Sequence, residues 1–330
     1  MSAFILSSAS QQAQFWRSYQ VSVECGEGQV KQWGNVGVGA SNLRMAFTSK
    51  RVLAADLGGT VMLTNLNPVS RRAIVAVPNE TDGTPQAGFH LGSRVTVRAG
   101  YNNNLSSLLV GHVRKCTSQR SGADIVTTLD LIGGAAFGNQ CMFKRTYAAS
   151  PAMKGGAHLL QILQDITDTM SLNYPGGTVS VAKGVQVGIK DTTFPRGISF
   201  DHTCQDALRI LLKPQGLDFA IENGQLRILP RGSYDNQSVV VLGTDTGLIN
   251  TPTSSFREGR NVVNFQALLN PLLVPGRLVT FATDATSASM SAGQLPGYYK
   301  IFESTHEGDS HGPNWSVSCE AERYELPIIK

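Results

Sequence analysis

The chain contains one short sequence pattern twice, once in its first half and again close to its C-terminus. Because apolar and polar residues alternate within the segments of both copies, each copy predicts one strand followed by a long hairpin. The paired segments are, in order, GSRVTV and GRLVTF (92–97 and 276–281), LLVGHV and YYKIFE (108–113 and 298–303), and IVTTLDL and WSVSCEA (125–131 and 315–321).

Two related β-modules in one chain favour assembly into a ring. Three such chains would present six near-equivalent modules, so a homotrimer would match a sixfold partner without being a hexamer. We therefore expect the chain to act through interfaces with copies of itself and with symmetric partners.

Composition favours strands over long helices. Of 330 residues, 34 are glycine and only 16% are charged, which suits turns and half-buried strands. A net charge of +4, with no block of Lys or Arg, gives no reason to expect nucleic-acid binding. The length allows two or three small cores, and we expect three.

The five cysteines are scattered and show no metal-type pair spacing, so we expect them to be reduced and buried. Residues 1–10 lack the basic start and apolar core of a secretion signal, and no later run is long enough to span a bilayer. These features predict a protein that folds in the cytoplasm and does not insert into a membrane.

Strand and helix patterns divide the chain into three predicted domains. Residues 1–145 form a β-module with an N-terminal extension, residues 146–235 form a small α+β domain of two helices and a hairpin, and residues 236–330 form a second β-module. The predicted fold class is therefore mainly β with a smaller α+β part.

The α+β domain is predicted from helical periodicity. Asp201 is placed to cap a second helix that ends before Pro214 and Gly216, and Asn223-Gly224 favours a tight hairpin turn. The first helix is predicted from apolar residues at helical spacing, at Leu159, Leu163, Ile166 and Met170.

Candidate chemical sites are few. His306, Asp309 and His311 lie close together, but Gly312 and Pro313 mark the segment as a hairpin turn, and no second ligand cluster accompanies it. We therefore predict no metal site.

Glycines 34, 37 and 39 lack the flanking strand, helix and lysine of a phosphate-binding loop, so residues 33–40 are predicted to be a flexible loop. Trp16, Trp33 and Trp315 are too dispersed to stack bases, and Trp315 is predicted to fill a core. We find no nucleophile elbow or acid pair, and predict no catalytic residue and no cofactor.

Several short motifs together resemble the baseplate hub proteins of contractile-tailed bacteriophages, the hub part of the late-control-protein-D and type VI secretion spike superfamily. The helix and hairpin of residues 201–230 also resemble the middle domain of such hubs. The motifs are NLNP at 65–68, the strand at 95–101, VGHV at 110–113, the segment 264–271 ending in LLNP, PG at 275–276, and HEGD at 306–309 with Gly312 and Trp315.

The resemblance implies a homotrimer whose two tube-like β-barrel modules per chain form a pseudo-sixfold ring. Such a ring would join a sixfold tail tube, or its initiator, to a threefold central spike in the virion baseplate. DNA would pass through its channel without sequence-specific binding. Baseplate wedge proteins and a tape measure protein would be further partners.

No β-helix repeat follows the second module, so the spike is expected to be a separate protein. No lysozyme-like domain is inserted, which argues against cell-wall degradation. We also expect the two repeated strand starts, Gly92-Ser93-Arg94 and Gly276-Arg277, to lie in equivalent environments of the ring, so that Arg94 and Arg277 occupy related folds.

Two alternatives stay open. One is a distal tail hub of a flexible-tailed phage, and the other is a β-scaffold hydrolase or carbohydrate-binding protein. A deep pocket with converging His306, Asp309 or His311 would favour the second alternative.

Overall fold

A computed structural model provides the structure of the chain. It describes residues 16–25, 29–37, 41, 43–52, 58–74, 92–133, 141–148, 157–172, 180–181, 192–222, 225–230, 234, 238–257, 260–282 and 297–324.

The chain forms two compact units. The first comprises Met1–Val52, Gly58–Ile132 and Tyr234–Lys330, and the second comprises Leu53–Leu57 and Gly133–Ser233. The first unit is built on one large sheet, while the second packs two helices with short strands. The prediction of a mainly β chain with a smaller α+β part is confirmed.

The large sheet contains strands from both predicted β-modules. From the N-terminal part come β1 (Arg17–Glu24), β2 (Val30–Gly34), β3 (Met45–Val52), β4 (Gly59–Thr64), β5 (Arg94–Tyr101), β6 (Asn104–Ser121) and β7 (Asp124–Ile132), with helix α1 (Pro68–Ala73) between β4 and β5. From the C-terminal part come β15 (Val240–Leu242), β16 (Thr253–Arg257), β17 (Arg260–Leu268), β18 (Leu278–Phe281), β19 (Tyr298–Asp309) and β20 (Trp315–Tyr324).

The order across this sheet is β16-β17-β20-β19-β3-β4-β7-β6-β5-β1-β2, and a short branch adds β18 beside β19 and β15 beside β18. Among the described residues the two end strands, β16 and β2, do not pair with each other, so the sheet is open. Trp33 lies within β2, so the prediction of a flexible loop from residue 33 is wrong there. Gly39 lies outside the described residues.

Strict alternation explains the strands. In β4, Val61 and Leu63 are buried while Met62 between them is exposed, as expected for a sheet with one face in a core. The inward residues form two clusters, one centred on β1 and β4 to β7, the other on β15 and β17 to β20. Leu269 and Trp315, from the C-terminal part, pack in the first cluster, and the predicted core position of Trp315 is confirmed.

The two repeated segments fold with the same strand order and register. In each, a strand pairs with the first arm of a long hairpin, and one residue bulges from that arm before the hairpin continues. The matched pairs are Arg94–His112 with Leu278–Lys300, Val95–Gly111 with Val279–Tyr299, Val113–Leu131 with Ile301–Ala321, and Lys115–Asp130 with Glu303–Glu320.

These registers refine the sequence alignment of the repeat. Segment 298–303 corresponds to residues 110–115 and not to 108–113. Arg277 corresponds to Ser93, since their carbonyls accept equivalent hydrogen bonds of 3.0 Å, whereas Arg94 corresponds to Leu278. The two strand starts therefore occupy equivalent positions in the repeat, as expected, whereas the arginines themselves are one residue apart in register and point to opposite faces.

One interstrand joint connects the two modules. Residues 303–309 of β19 pair with β3 in antiparallel register, from Glu303 opposite Val52 to Asp309 opposite Ala46. Residues 298–300 of the same strand pair with β18 instead. The strand thus changes partner at its bulge, and we call the β3–β19 pairing the internal joint.

Gly308 allows the internal joint to close. It lies opposite Phe47 on one side and Trp315 on the other, whose rings meet edge to face at 6.0 Å. A Cβ at Gly308 would lie 2.3 Å from Phe47 Cε1 and 3.0 Å from Trp315 Cε3. A residue without a side chain is therefore required there.

The second unit contains β8 (Met142–Tyr147), β9 (Ala157–His158), α2 (Leu159–Leu172), β10 (Ser180–Val181), β11 (Thr193–Phe194), β12 (Ile198–Thr203), α3 (Cys204–Leu212), β13 (Leu217–Glu222) and β14 (Gln225–Pro230). The four apolar residues predicted for the first helix are all buried on α2.

The start of α3 differs from the prediction. Thr203 is its N-cap and accepts a hydrogen bond from the Asp206 N–H, whereas Asp201 lies in β12 opposite Lys144. The predicted end is confirmed, with a 3-10 turn through Pro214 and left-handed Gly216. Asn223-Gly224 lies outside the described residues.

No helix in the described part of the chain combines the length and apolar character needed to cross a membrane.

Replacing Gly308 with alanine should weaken the internal joint. Because the added methyl group overlaps two aromatic rings, we expect a loss of about 1–3 kcal/mol in the free energy of unfolding, measured by chemical denaturation. Gly297→Ala is the control, since a Cβ there would meet only Arg323 Nε at 3.8 Å, which is an ordinary contact. Equal losses in both variants would contradict this account of the joint.

Candidate interaction surfaces

One face of the large sheet is mainly polar at its centre, although Met62 of β4 is exposed on it. The register places threonines of neighbouring strands side by side on it, with Thr48 opposite Thr60 and Thr128 opposite Thr117. The side chains of the other face are those buried in the two cores. We call the solvent-facing side of β3, β4, β6, β7, β19 and β20 the polar face.

Charges on the polar face are mixed and slightly acidic. Lys50 pairs with Glu303, and Arg44 pairs with Asp309 at 2.8 Å. The register adds Glu307, Glu320 and Asp130 to this face, against Lys115. The surface therefore offers no basic track for a phosphate backbone.

The depressions on this face are shallow grooves between strands. One, of about 430 Å³, is lined by polar residues that include Thr253, Asn264 and Glu303. A smaller one, of about 270 Å³, lies between β4 and β19 and includes Thr60 and Glu307. Neither has the enclosed apolar lining that small-molecule sites usually show.

The buried side of the internal joint is unusually polar. Ser49, Ser304 and His306 are each 1% exposed or less, and the Ser49 hydroxyl donates to the Leu108 carbonyl at 3.3 Å. A ring nitrogen of His306 lies 3.2 Å from the Asn270 carbonyl oxygen. Burial lowers the pKa of His306 to about 3, and the positive charge of Arg51 adds to this effect.

A second cluster fixes the turn between β19 and β20. The Arg17 guanidinium donates to the carbonyls of Asp309, Gly312 and Pro313 and lies 5.5 Å from the centre of the Trp315 ring. The hydrogen bond from Arg44 lowers the pKa of the Asp309 carboxyl. These contacts hold the N-terminal strand against the C-terminal hairpin.

His306, Asp309 and His311, which lie close together in the sequence, each bind a different partner. His306 is buried in the joint, Asp309 binds Arg44, and exposed His311 contacts the Ser310 hydroxyl at 2.8 Å. Throughout the described part of the chain, no three His, Cys, Asp or Glu side chains gather as metal ligands would. Among the described residues, these three side chains do not converge on either groove of the polar face.

The cysteines are free thiols, and four of the five are buried. Cys116 is the exception, since it is only half-buried and lies in β6 after the bulge. This residue stands at an edge of the sheet.

Several strand edges of the large sheet stay open within the described residues, and two of them belong to β6 and β16. Residues 115–121 of β6 pair with β7 on one side, while β5 pairs with β6 only as far as His112. The outer edge of β16 ends the strand order. An unpaired edge exposes backbone donors and acceptors to any other strand, so both edges are candidate contact sites for another chain.

Solved structures share this fold. An Escherichia coli type VI secretion component, described as structurally similar to the phage T4 tail proteins gp27 and gp5, matches with a TM-score of 0.58 at 11% identity over 88% of this chain and 76% of its own. A Neisseria meningitidis tail protein matches with a TM-score of 0.59 at 11% identity over 92% and 96%. The 43 kDa tail protein of prophage MuSo2 from Shewanella oneidensis matches with 0.55 at 14% identity over 93% and 97%.

The chain has the fold of phage tail proteins. No protein-family model and no curated protein sequence matches it. The resemblance inferred from short motifs is thus confirmed at the level of three-dimensional structure, where sequence identity is too low to show it.

The buried histidine predicts a pH dependence of stability. His306 stays neutral in the folded chain but binds a proton in the unfolded chain below about pH 6.5, so its contribution is complete above that pH and is lost as the pH falls towards 3. We expect the free energy of unfolding to drop by about 1.4 kcal/mol per pH unit from this group between roughly pH 6 and pH 4.

The measurement is chemical denaturation at several pH values. His306→Gln should remove this group's part of the dependence of the free energy of unfolding on pH. His311→Gln, at an exposed position, should leave that dependence unchanged. Identical slopes in the wild type and His306→Gln would refute the assignment.

Proposed function

We propose that the chain is a structural baseplate hub of a phage tail. Three copies would form a ring with pseudo-sixfold symmetry that joins the sixfold tail tube to a threefold central spike. The protein would act without catalysis, in the virion tail, after synthesis in the host cytoplasm. Tube, spike, wedge and tape measure proteins would be its partners.

The internal joint is the observation that carries this proposal. It connects two modules of the same strand order and register, edge to edge, within one continuous sheet. If the same joint recurred between chains, three copies would supply six modules and consume every open edge of this kind. The closed sheet would then be the tube-like barrel expected from the sequence.

The fold of the tail proteins supports the same conclusion. The likeness extends over about nine-tenths of this chain and almost all of two tail proteins. It concerns the second unit as well as the sheet, because the coverage includes both. The grooves and separated histidines offer no support for the hydrolase alternative.

The polar face would line the channel. A surface of hydroxyls, amides and a slight excess of carboxylates repels the phosphate backbone weakly and offers no base-specific donor pattern. Duplex DNA would therefore pass without being held. A basic or aromatic lining would bind it instead.

The assembly state provides the direct test. Light scattering on the purified chain is expected to give three times the chain mass, and electron microscopy down the ring axis should show six similar lobes. A monomer that persists at high concentration would contradict the proposal.

Charge reversal tests the channel lining. Glu307→Lys would place a positive charge on the polar face in every copy, so we expect the affinity of the ring for duplex DNA at low salt to rise by roughly tenfold. Fluorescence anisotropy of a labelled duplex measures this change. Asp245→Lys is the matched control, because Asp245 is an exposed residue of the 3-10 turn at Thr244–Thr246. A similar rise in both variants would argue against a channel position for Glu307.

A further inference from the structure

The free edge of β6 is the counterpart of the β19 edge used in the internal joint. Lys115 follows the bulge of β6 and lies opposite Asp130, as Glu303 follows the bulge of β19 and lies opposite Glu320. Residues 115–119 therefore correspond to residues 303–307. The first set has an open side among the described residues, while the second set is covered by β3.

At one end of the strand order of the described residues, β16 is the counterpart of β3. Thr48 lies opposite Thr60 of β4, which lies opposite Asp130. Thr253 lies opposite Asn264 of β17, which lies opposite Glu320. Since Asp130 and Glu320 are themselves equivalent, Thr253 corresponds to Thr48.

We propose that β16 of one copy pairs, antiparallel, with residues 115–119 of β6 in a second copy, in the register of the internal joint. This inference rests on the proposed ring and specifies its subunit contact. Glu307 lies opposite Thr48, so Gln119 of the second copy lies opposite Thr253 of the first. Counting along both strands places Cys116 opposite Phe256.

Burial supports this pairing. The covered positions Ser304 and His306 are fully buried, but their counterparts, Cys116 and Ser118, are half-buried and exposed. Phe256 is 73% exposed, although it is a large apolar residue on a short strand. An exposed aromatic beside an open strand edge is the pattern expected of a contact awaiting its partner.

The joint would extend a core from one copy into the next. Cys116 packs against the cluster that contains Leu129, its partner in the β6–β7 ladder. If Phe256 lies opposite Cys116, its aromatic side chain reaches the edge of that cluster. The contact thus combines backbone pairing with the burial of one aromatic side chain.

The same comparison limits the length of the joint. The counterpart of Gly308 is Arg120, which has a long side chain where the internal joint requires none. Opposite it would stand Pro252, which lacks a backbone N–H. The pairing therefore ends after five residues, two fewer than the internal joint forms.

Cysteine cross-linking tests the register. Phe256→Cys faces native Cys116 across the joint, at the Cβ separation of directly opposed strand residues, so mild oxidation or a short thiol cross-linker should link copies into dimers and trimers. We expect roughly tenfold more linked product than in Phe256→Cys combined with Cys116→Ser. The other cysteines are buried and give a low background.

Ser255→Cys provides the register control. It lies next to Phe256 but points to the opposite face of the sheet, so it should not link to Cys116. A trimer by light scattering in which Ser255→Cys links and Phe256→Cys does not would overturn this register and leave the ring standing. A monomer under the same conditions would overturn the ring itself.

A charge at the contact gives a second readout. Phe256→Asp should leave the melting temperature of the dissociated chain unchanged, because the side chain is exposed there, yet raise the dissociation constant of the ring by roughly tenfold or more. Unchanged assembly in this variant would contradict the proposed contact.

Discussion

The pairing of β3 with β19 is the interaction on which the rest of the first unit depends. Without it the N-terminal and C-terminal β-modules would be two smaller sheets, each with an additional open edge. The joint forms because Gly308 lets two aromatic rings close over it and because small or neutral side chains fill its buried side. A few residues within β3 and β19 thus determine whether two distant parts of the chain form one sheet.

The sequence predicts the local parts of this fold well. Alternation locates the strands of both repeats, and helical spacing locates the buried face of α2. The sequence pattern alone aligns the central segment of the repeat two residues out of register, for a physical reason. Side chains in a strand repeat every two residues, so a shift of two leaves every residue on its correct face and escapes detection by pattern.

The interaction surfaces were not predictable in the same way. The internal joint pairs residues near position 50 with residues near position 305, and a strand pairing over such a distance has no local signature. Asp201 was preferred as a helix cap by type, but the ladder with β8 extends as far as Thr203 and moves the helix start. Its place in the sequence suggests His306 as a possible metal ligand, whereas in the structure the ring is buried in the joint and burial lowers its pKa.

The bulge after Ile301 has a mechanical consequence. At that point β19 stops pairing with β18 and begins to pair with β3. The same strand therefore belongs to a ladder of each module. Force along the strand direction would load all seven residue pairs of the β3–β19 ladder together in shear, whereas force across the strands would open them one after another. The two modules are therefore coupled through the length of one shared strand and not through a loop.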